Sequence, residues 1–215
     1  MHPFEYAAPE TLDQALGLLG EHGDEAKVLA GGQSLIPILH YRLARPRVVI
    51  DINGLLLGDI VVENGRLGVG ALVRYHQLEE SDVIARRCPV LGEAARLIGN
   101  VRVRTLGTVG GSLAHADPAA ELPAVMTALD ARLAMAGPSG RRTLGARDFF
   151  TGQALVRSSV LNSYRRLGGH CTNQLQIIGL ERGEGIEPIS IQRSVYSCFR
   201  NQGRANRGTN ALGND

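Results

Sequence analysis

Apolar positions along the first 150 residues change period several times, and the changes mark elements. Leu12, Ala15, Leu16 and Leu19 recur at helical spacing behind Thr11-Leu12-Asp13-Gln14, a capping-box start, and Gly20 stops the run. Lys27 to Ala30 reads as a short buried strand running into Gly31-Gly32; Ser34 to Leu43 reads as a helix and Arg47 to Ile52 as another strand. Asp59 to Glu63 and Arg66 to Ala71 flank Asn64-Gly65, a dipeptide that tolerates positive φ, so the pattern predicts a hairpin with a type I′ turn. Helical spacing returns at 76 to 85 and 89 to 98, a glycine-rich loop is expected at 107 to 111, and Pro118 to Leu129 reads as a helix with Leu122, Val125, Met126 and Leu129 inward. Strands are expected near 131 to 136 and 141 to 144. Helices and short strands thus mix without regular βαβ spacing, which predicts α+β rather than a Rossmann sheet.

Composition breaks near Gly152. Residues 1 to 152 carry 15 basic and 17 acidic side chains, 20 alanines and six Asn plus Gln; residues 153 to 215 carry eight Arg, four acids, three alanines and eleven Asn plus Gln. The later stretch lacks periodic apolar faces, so it is expected to be a poorly ordered tail. The whole chain of 215 residues is 44% apolar, enough for a sizeable core, with a net charge of +2 and no Trp. That balance argues against nucleic-acid binding. No apolar run reaches membrane-spanning length and no signal peptide opens the chain, so a cytoplasmic protein with no membrane insertion is expected. Cys88, Cys171 and Cys198 form neither a disulfide framework nor a metal site, and this chain is not expected to hold an iron–sulfur cluster.

Two segments carry candidate chemistry. In Ala30-Gly31-Gly32-Gln33-Ser34, a strand ends and a helix begins around two glycines, which permit positive φ and let a ligand approach the backbone. In Thr108-Val109-Gly110-Gly111-Ser112, adjacent glycines again stand beside small hydroxyl side chains. Either pair alone is ordinary turn chemistry; two together suggest two sides of one pyrophosphate. Neither is followed by Gly-Lys-Ser, and neither is Gly-x-Gly-x-x-Gly, so the nucleotide is held differently from a Walker or Rossmann site.

These residues carry a resemblance. Phe4-Glu5-Tyr6 with Pro9, Ala30 to Pro37, Arg42-Leu43-Ala44-Arg45-Pro46, Asp51-Ile52, and Gly107 to Ser112 running on through Ala114 to Pro123 closely resemble the FAD-binding medium subunit of the molybdenum hydroxylases, the aerobic carbon monoxide dehydrogenase and xanthine dehydrogenase type. The resemblance implies a two-lobed FAD-binding domain of the vanillyl-alcohol oxidase-like superfamily, residues 1–55 forming one lobe and 56–152 the other. It implies FAD contacts from Ala30, Gly31, Gly32, Gln33, Ser34, Thr108, Val109, Gly110, Gly111 and Ser112, with Glu121 near the cofactor's sugar or ribityl hydroxyls. Catalytic side chains and metal ligands are not implied. The implied partners are an iron–sulfur small subunit and a molybdopterin large subunit, in a heterotrimer that can dimerise.

The chain departs from the pattern in two places. Arg104-Thr105-Leu106-Gly107 stands where the family often has Arg-Asn-Arg-Gly. After Asp148 to Gly152 the family's C-terminal domain is not recognisable, so it is expected to be missing through truncation or a frame change. His115 reads as polar lining, Asp117 and Pro118 as an N-cap followed by proline at N1, Lys27 as a surface residue at a strand start, and Cys88 as structural. Two other functions stay open: a non-catalytic remnant with weak or no flavin, and a stand-alone flavin oxidoreductase.

Overall fold

A computed structural model describes residues 1–150 of the chain. The expected tail at 153–215 lies outside the described residues. The chain begins with a three-stranded parallel sheet in which β3 (Val48–Asp51) lies between β1 (Glu5–Ala7) and β2 (Ala26–Leu29). A central strand is covered on both faces, which suits the continuous apolar run Val48-Val49-Ile50, all buried. Helix α1 (Leu12–His22) precedes β2 and starts as expected: Thr11 Oγ1 accepts from the Gln14 N–H, and Gln14 Oε1 accepts from the Thr11 N–H. Its Ala15 and Leu19 join Val48, Ile50, Ile52, Leu55 and Leu72 in one apolar cluster.

Helix α2 (Leu35–His40) is shorter than expected. Arg42 takes a φ of 59°, outside helical space, and so ends the element before Leu43. The antiparallel hairpin β4 (Ile60–Glu63) and β5 (Arg66–Val69) forms at Asn64-Gly65, whose φ values of 50° and 78° are those a type I′ turn requires. Where one helix was expected at 76 to 85 there are two, α3 (Tyr75–Glu80) and α4 (Asp82–Arg87). Ser81 takes extended dihedrals and caps the second through its side chain.

Helix α5 (Pro89–Leu97) follows, with proline at its first position and Leu91, Ala94 and Ala95 buried. The short α6 (Val101–Leu106) was not expected, because it buries none of its residues and so shows no apolar face in sequence. The expected glycine loop at 107 to 111 is instead largely helical: α7 (Val109–His115) begins at the Thr108 cap. Helix α8 (Glu121–Ala128) starts later than the pattern suggested. Asp117 does not cap it; its Oδ1 accepts from the Ala119 N–H in a local turn, and Ala120 occupies the N-cap position. Leu122, Val125, Met126 and Leu129 point inward as expected. The hairpin β6 (Arg132–Gly137) and β7 (Gly140–Gly145) and the turn α9 (Ala146–Phe149) complete the described chain.

A second cluster gathers Val73, Leu78, Ile84, Leu91, Val109, Leu113, Leu122, Met126, Leu133 and Phe149. Each such large side chain taken out of water contributes roughly 2 kcal/mol, so the two clusters, and not the surface ion pairs, hold the lobes. The architecture is α+β and two-lobed.

Candidate functional site

A cleft of about 370 Å³ opens between the lobes, and both glycine segments line it. Of the residues expected at the site, all but Val109 line it. Val109 is fully buried in the second lobe's core, because as the first residue of α7 it points its side chain away from the cleft. Its N–H donates to the Val73 carbonyl at 2.9 Å.

The first segment is an open backbone concavity. Gly32 has a φ of +69°, and a Cβ there would stand 3.0 Å from Ile36 Cγ1. The turn this makes leaves the N–H groups of Gly31, Gly32, Gln33 and Ser34 without a backbone partner among the described residues. The Gln33 amide donates back to the Gly31 carbonyl at 3.0 Å, which stiffens the turn without consuming those donors. Successive unpaired N–H groups beside a ligand cleft form an anion nest.

The second segment is built differently. The Val109 N–H is used by Val73, the Gly110 N–H donates to the Ala71 carbonyl at 2.8 Å, the Gly111 N–H to Thr108 Oγ1 at 3.1 Å, and the Ser112 N–H to the Thr108 carbonyl at 3.0 Å. Its glycines serve close packing. A Cβ on Gly110 would lie 2.7 Å from both Cβ and the carbonyl oxygen of Ala71. Thr108 is 1% exposed, so its hydroxyl is a buried cap rather than a surface contact.

Three further residues of the cleft bear on its electrostatics. Lys27, expected at the surface, lines the cleft with its ammonium half-buried; burial pushes it below its ordinary value, against a smaller upward pull from Asp24. Tyr75 went unnoticed in the sequence, although Gly107 lacks a side chain because the Tyr75 ring occupies that space. Burial raises the Tyr75 phenol, its hydrogen bond with the Ser112 side chain lowers it, and the Glu121 charge raises it further, for a net rise. His115 and Asp117 also line the cleft. Groups of His, Cys, Asp and Glu able to hold a metal ion are absent among the described residues.

Open donors and a half-buried cation are the parts of a nucleotide cleft, and comparison with known proteins bears on which nucleotide. Residues 2–163 match the family described as the FAD binding domain in molybdopterin dehydrogenase. The chain belongs to that family. FAD is the cofactor of this domain. The chain is 43% identical over 150 residues to the carbon monoxide dehydrogenase medium chain of Hydrogenophaga pseudoflava, covering 69% of this chain and 52% of that one. It is 41% identical over 213 residues to the glyceraldehyde dehydrogenase medium chain of Sulfolobus acidocaldarius, covering 89% and 75%. That match extends past residue 152, where the sequence alone showed no family pattern. A solved carbon monoxide dehydrogenase from Hydrogenophaga pseudoflava, lacking the Mo-pyranopterin moiety, superposes with a TM-score of 0.75 at 36% identity, over 86% of this chain and 61% of that one. The chain spans about half the length of the first curated relatives it matches. No helix among the described residues is long and apolar enough to cross a membrane.

Proposed function

We propose that this chain is the FAD-binding electron-transfer subunit of a molybdenum-containing hydroxylase or dehydrogenase. It works in the cytoplasm, beside an iron–sulfur small subunit and a molybdopterin large subunit. The observation that carries the reading is the run of open N–H groups from Gly31 to Ser34 in a cleft that the half-buried Lys27 also lines. The residues fit a dinucleotide: the N–H groups and the ammonium hold the pyrophosphate, and Glu121 accepts from sugar or ribityl hydroxyls. When bound, FAD would supply the redox chemistry between the substrate centre and an external acceptor. The protein's part is to fix the cofactor, keep its phosphates out of bulk water and exclude competing reactions. Tyr75, whose phenol burial pushes above its ordinary value, lines the same cleft beside Ser112 and Glu121.

Two measurements on the purified 215-residue chain test this. Titration with FAD should quench flavin fluorescence saturably at one site per chain. Mixing the loaded chain with the small and large subunits of a related complex should give a species that co-elutes on gel filtration and reduces an artificial acceptor. Absence of saturable flavin binding sinks the reading; binding with acceptor reduction by the chain alone, from an organic substrate, favours a stand-alone oxidoreductase instead.

A further inference from the structure

A polar chain of side chains crosses from the first lobe to the second beside the cleft, and both glycine segments hang from it. The Tyr6 hydroxyl on β1 donates to Asp51 Oδ2 at 2.6 Å. Asp51 Oδ1, at the end of β3, accepts from the Asn53 N–H at 2.9 Å and from Asn53 Nδ2 at 2.6 Å. The same Nδ2 donates to the Ala30 carbonyl at 2.9 Å, the residue that opens the first glycine segment. Asn53 Oδ1 accepts from Arg74 Nη2 at 2.5 Å, and Arg74 Nη1 donates to the Leu106 carbonyl, just before the second segment. Arg74 itself pairs along its backbone with Thr108.

The donor inventory makes this chain one-directional. A carboxylate only accepts and a guanidinium only donates, so the Asn53 amide must turn its NH₂ toward Asp51 and its oxygen toward Arg74. That orientation is the one that delivers an N–H to Ala30. The guanidinium needs both prongs of its fork, one for Asn53 and one for Leu106. The segments so joined nearly touch: a Cβ on Gly31 would be 2.8 Å from the Gly107 Cα. Although burial of Asp51 favours its neutral form, the bonds from Tyr6 and Asn53 and the charge of Arg74 outweigh it and hold the carboxyl below its ordinary value. Tyr6 and Asn53 are exposed and Asp51 and Arg74 only partly buried, so the chain adds little to global stability, which the two apolar clusters supply.

We propose that Arg74, Asn53 and Asp51 are positioning residues that fix the two glycine segments at the separation the bound pyrophosphate needs. The proposal rests on the reading of the cleft as an FAD site. Its test uses the full chain, with Arg74→Gln, Arg74→Lys and Asn53→Ala. In the flavin-free state, hydrogen–deuterium exchange should quicken at least tenfold at the bonded amides of the two segments, Ile36 and Val109 to Ser112, and stay at wild-type rates in α5 and β6. FAD affinity should fall at least tenfold in Arg74→Gln and Asn53→Ala. Arg74→Lys keeps the charge without the fork, so it should recover less than a third of the lost affinity. Full recovery by lysine would reduce the role to charge and overturn the proposal, as would quickened exchange across the whole fold or unchanged exchange in the two segments. Failure of wild-type chain to bind FAD would sink the earlier reading instead, while the local exchange pattern would still decide whether the chain of bonds positions the segments. Asn53→Ala leaves the guanidinium in place, so it keeps the test available if the Arg74 variants do not fold.

Discussion

Ala30 to Ser34 and Thr108 to Ser112 look alike in sequence, a Gly-Gly pair with a serine beside it, yet they solve different physical problems. In the first, positive φ at Gly32 opens the backbone and leaves a run of donors unpaired. In the second, every N–H from Val109 to Ser112 is used inside the protein, and the glycines let α7 seat directly on Ala71. The first segment leaves its donors open in the cleft; the second brings a helix close enough that its small polar side chains line the same cleft. Glycine pairs therefore divide by what their N–H groups do, a property that residue identity alone does not carry.

The contrast predicts opposite patterns of damage. Gly110→Val places a branched side chain against the Ala71 backbone, which cannot rotate away. Overpacking of this kind costs about 3 kcal/mol, at the upper end of its range, or roughly 6–12 °C in melting temperature. Thermal melts of the flavin-free chain check it; a wild-type melt would mean that α7 does not rest on Ala71. Gly32→Val should do the reverse. Forcing a side chain into the left-handed region costs about 1–2 kcal/mol of stability, whereas filling the nest should weaken FAD about a hundredfold, near 2.8 kcal/mol. Comparing each variant's loss in melt with its loss in flavin titration separates the two roles. Equal ratios in Gly110→Val and Gly32→Val would erase the comparison.

What the sequence disclosed follows the same division. Elements specified by local chemistry were legible: the Thr11 capping box, the Asn64-Gly65 turn, proline at the start of α5 and the inward face of α8. Elements specified by distant contacts were not. Helix α6 hides because Val101 and Leu106 face outward, α7 reads as a loop because its glycines answer to Ala71 some forty residues earlier, and Asp117 beside a proline mimics a cap it does not make. The residues that family resemblance names for the site, Val109 excepted, line one cleft. Lys27 and Tyr75 were missed because a lone lysine at a strand start and a tyrosine at a helix start show no pattern of their own.

The Thr108 cap offers a sharper test of the second segment. Thr108→Val removes the acceptor for the Gly111 N–H and should cost about 1 kcal/mol. Gly111→Ala sets a Cβ 2.7 Å from the same Oγ1 and should cost a similar amount. Because both changes break one bond, their double variant should lose little more than the larger single. Additive losses in urea unfolding would show that the cap and the glycine act independently.

The smallest expected effect concerns Lys27 and has two signs. Burial lowers its folded-state value below the ordinary 10.5, with Asp24 opposing. As pH rises through the window between that lowered value and 10.5, the folded chain releases the proton first, so the unfolded state binds more protons and stability of the flavin-free chain from this group increases. Phosphates in the nest reverse the preference, since they are held better by the ammonium than by the amine, and FAD affinity should decline over the same alkaline range. The charge of Asp24 beside Lys27 and the raised Tyr75 phenol along the cleft also bear on the whole-protein profile. Lys27→Met removes one contribution and leaves theirs. At neutral pH it should weaken FAD about threefold, under 1 kcal/mol for a charge that remains partly in water. Above that, wild type and variant should converge as the wild-type lysine discharges. Parallel affinity profiles for the two proteins, offset but never meeting, would place the ammonium away from the phosphates and leave the nest's open N–H groups as the site's anion anchor.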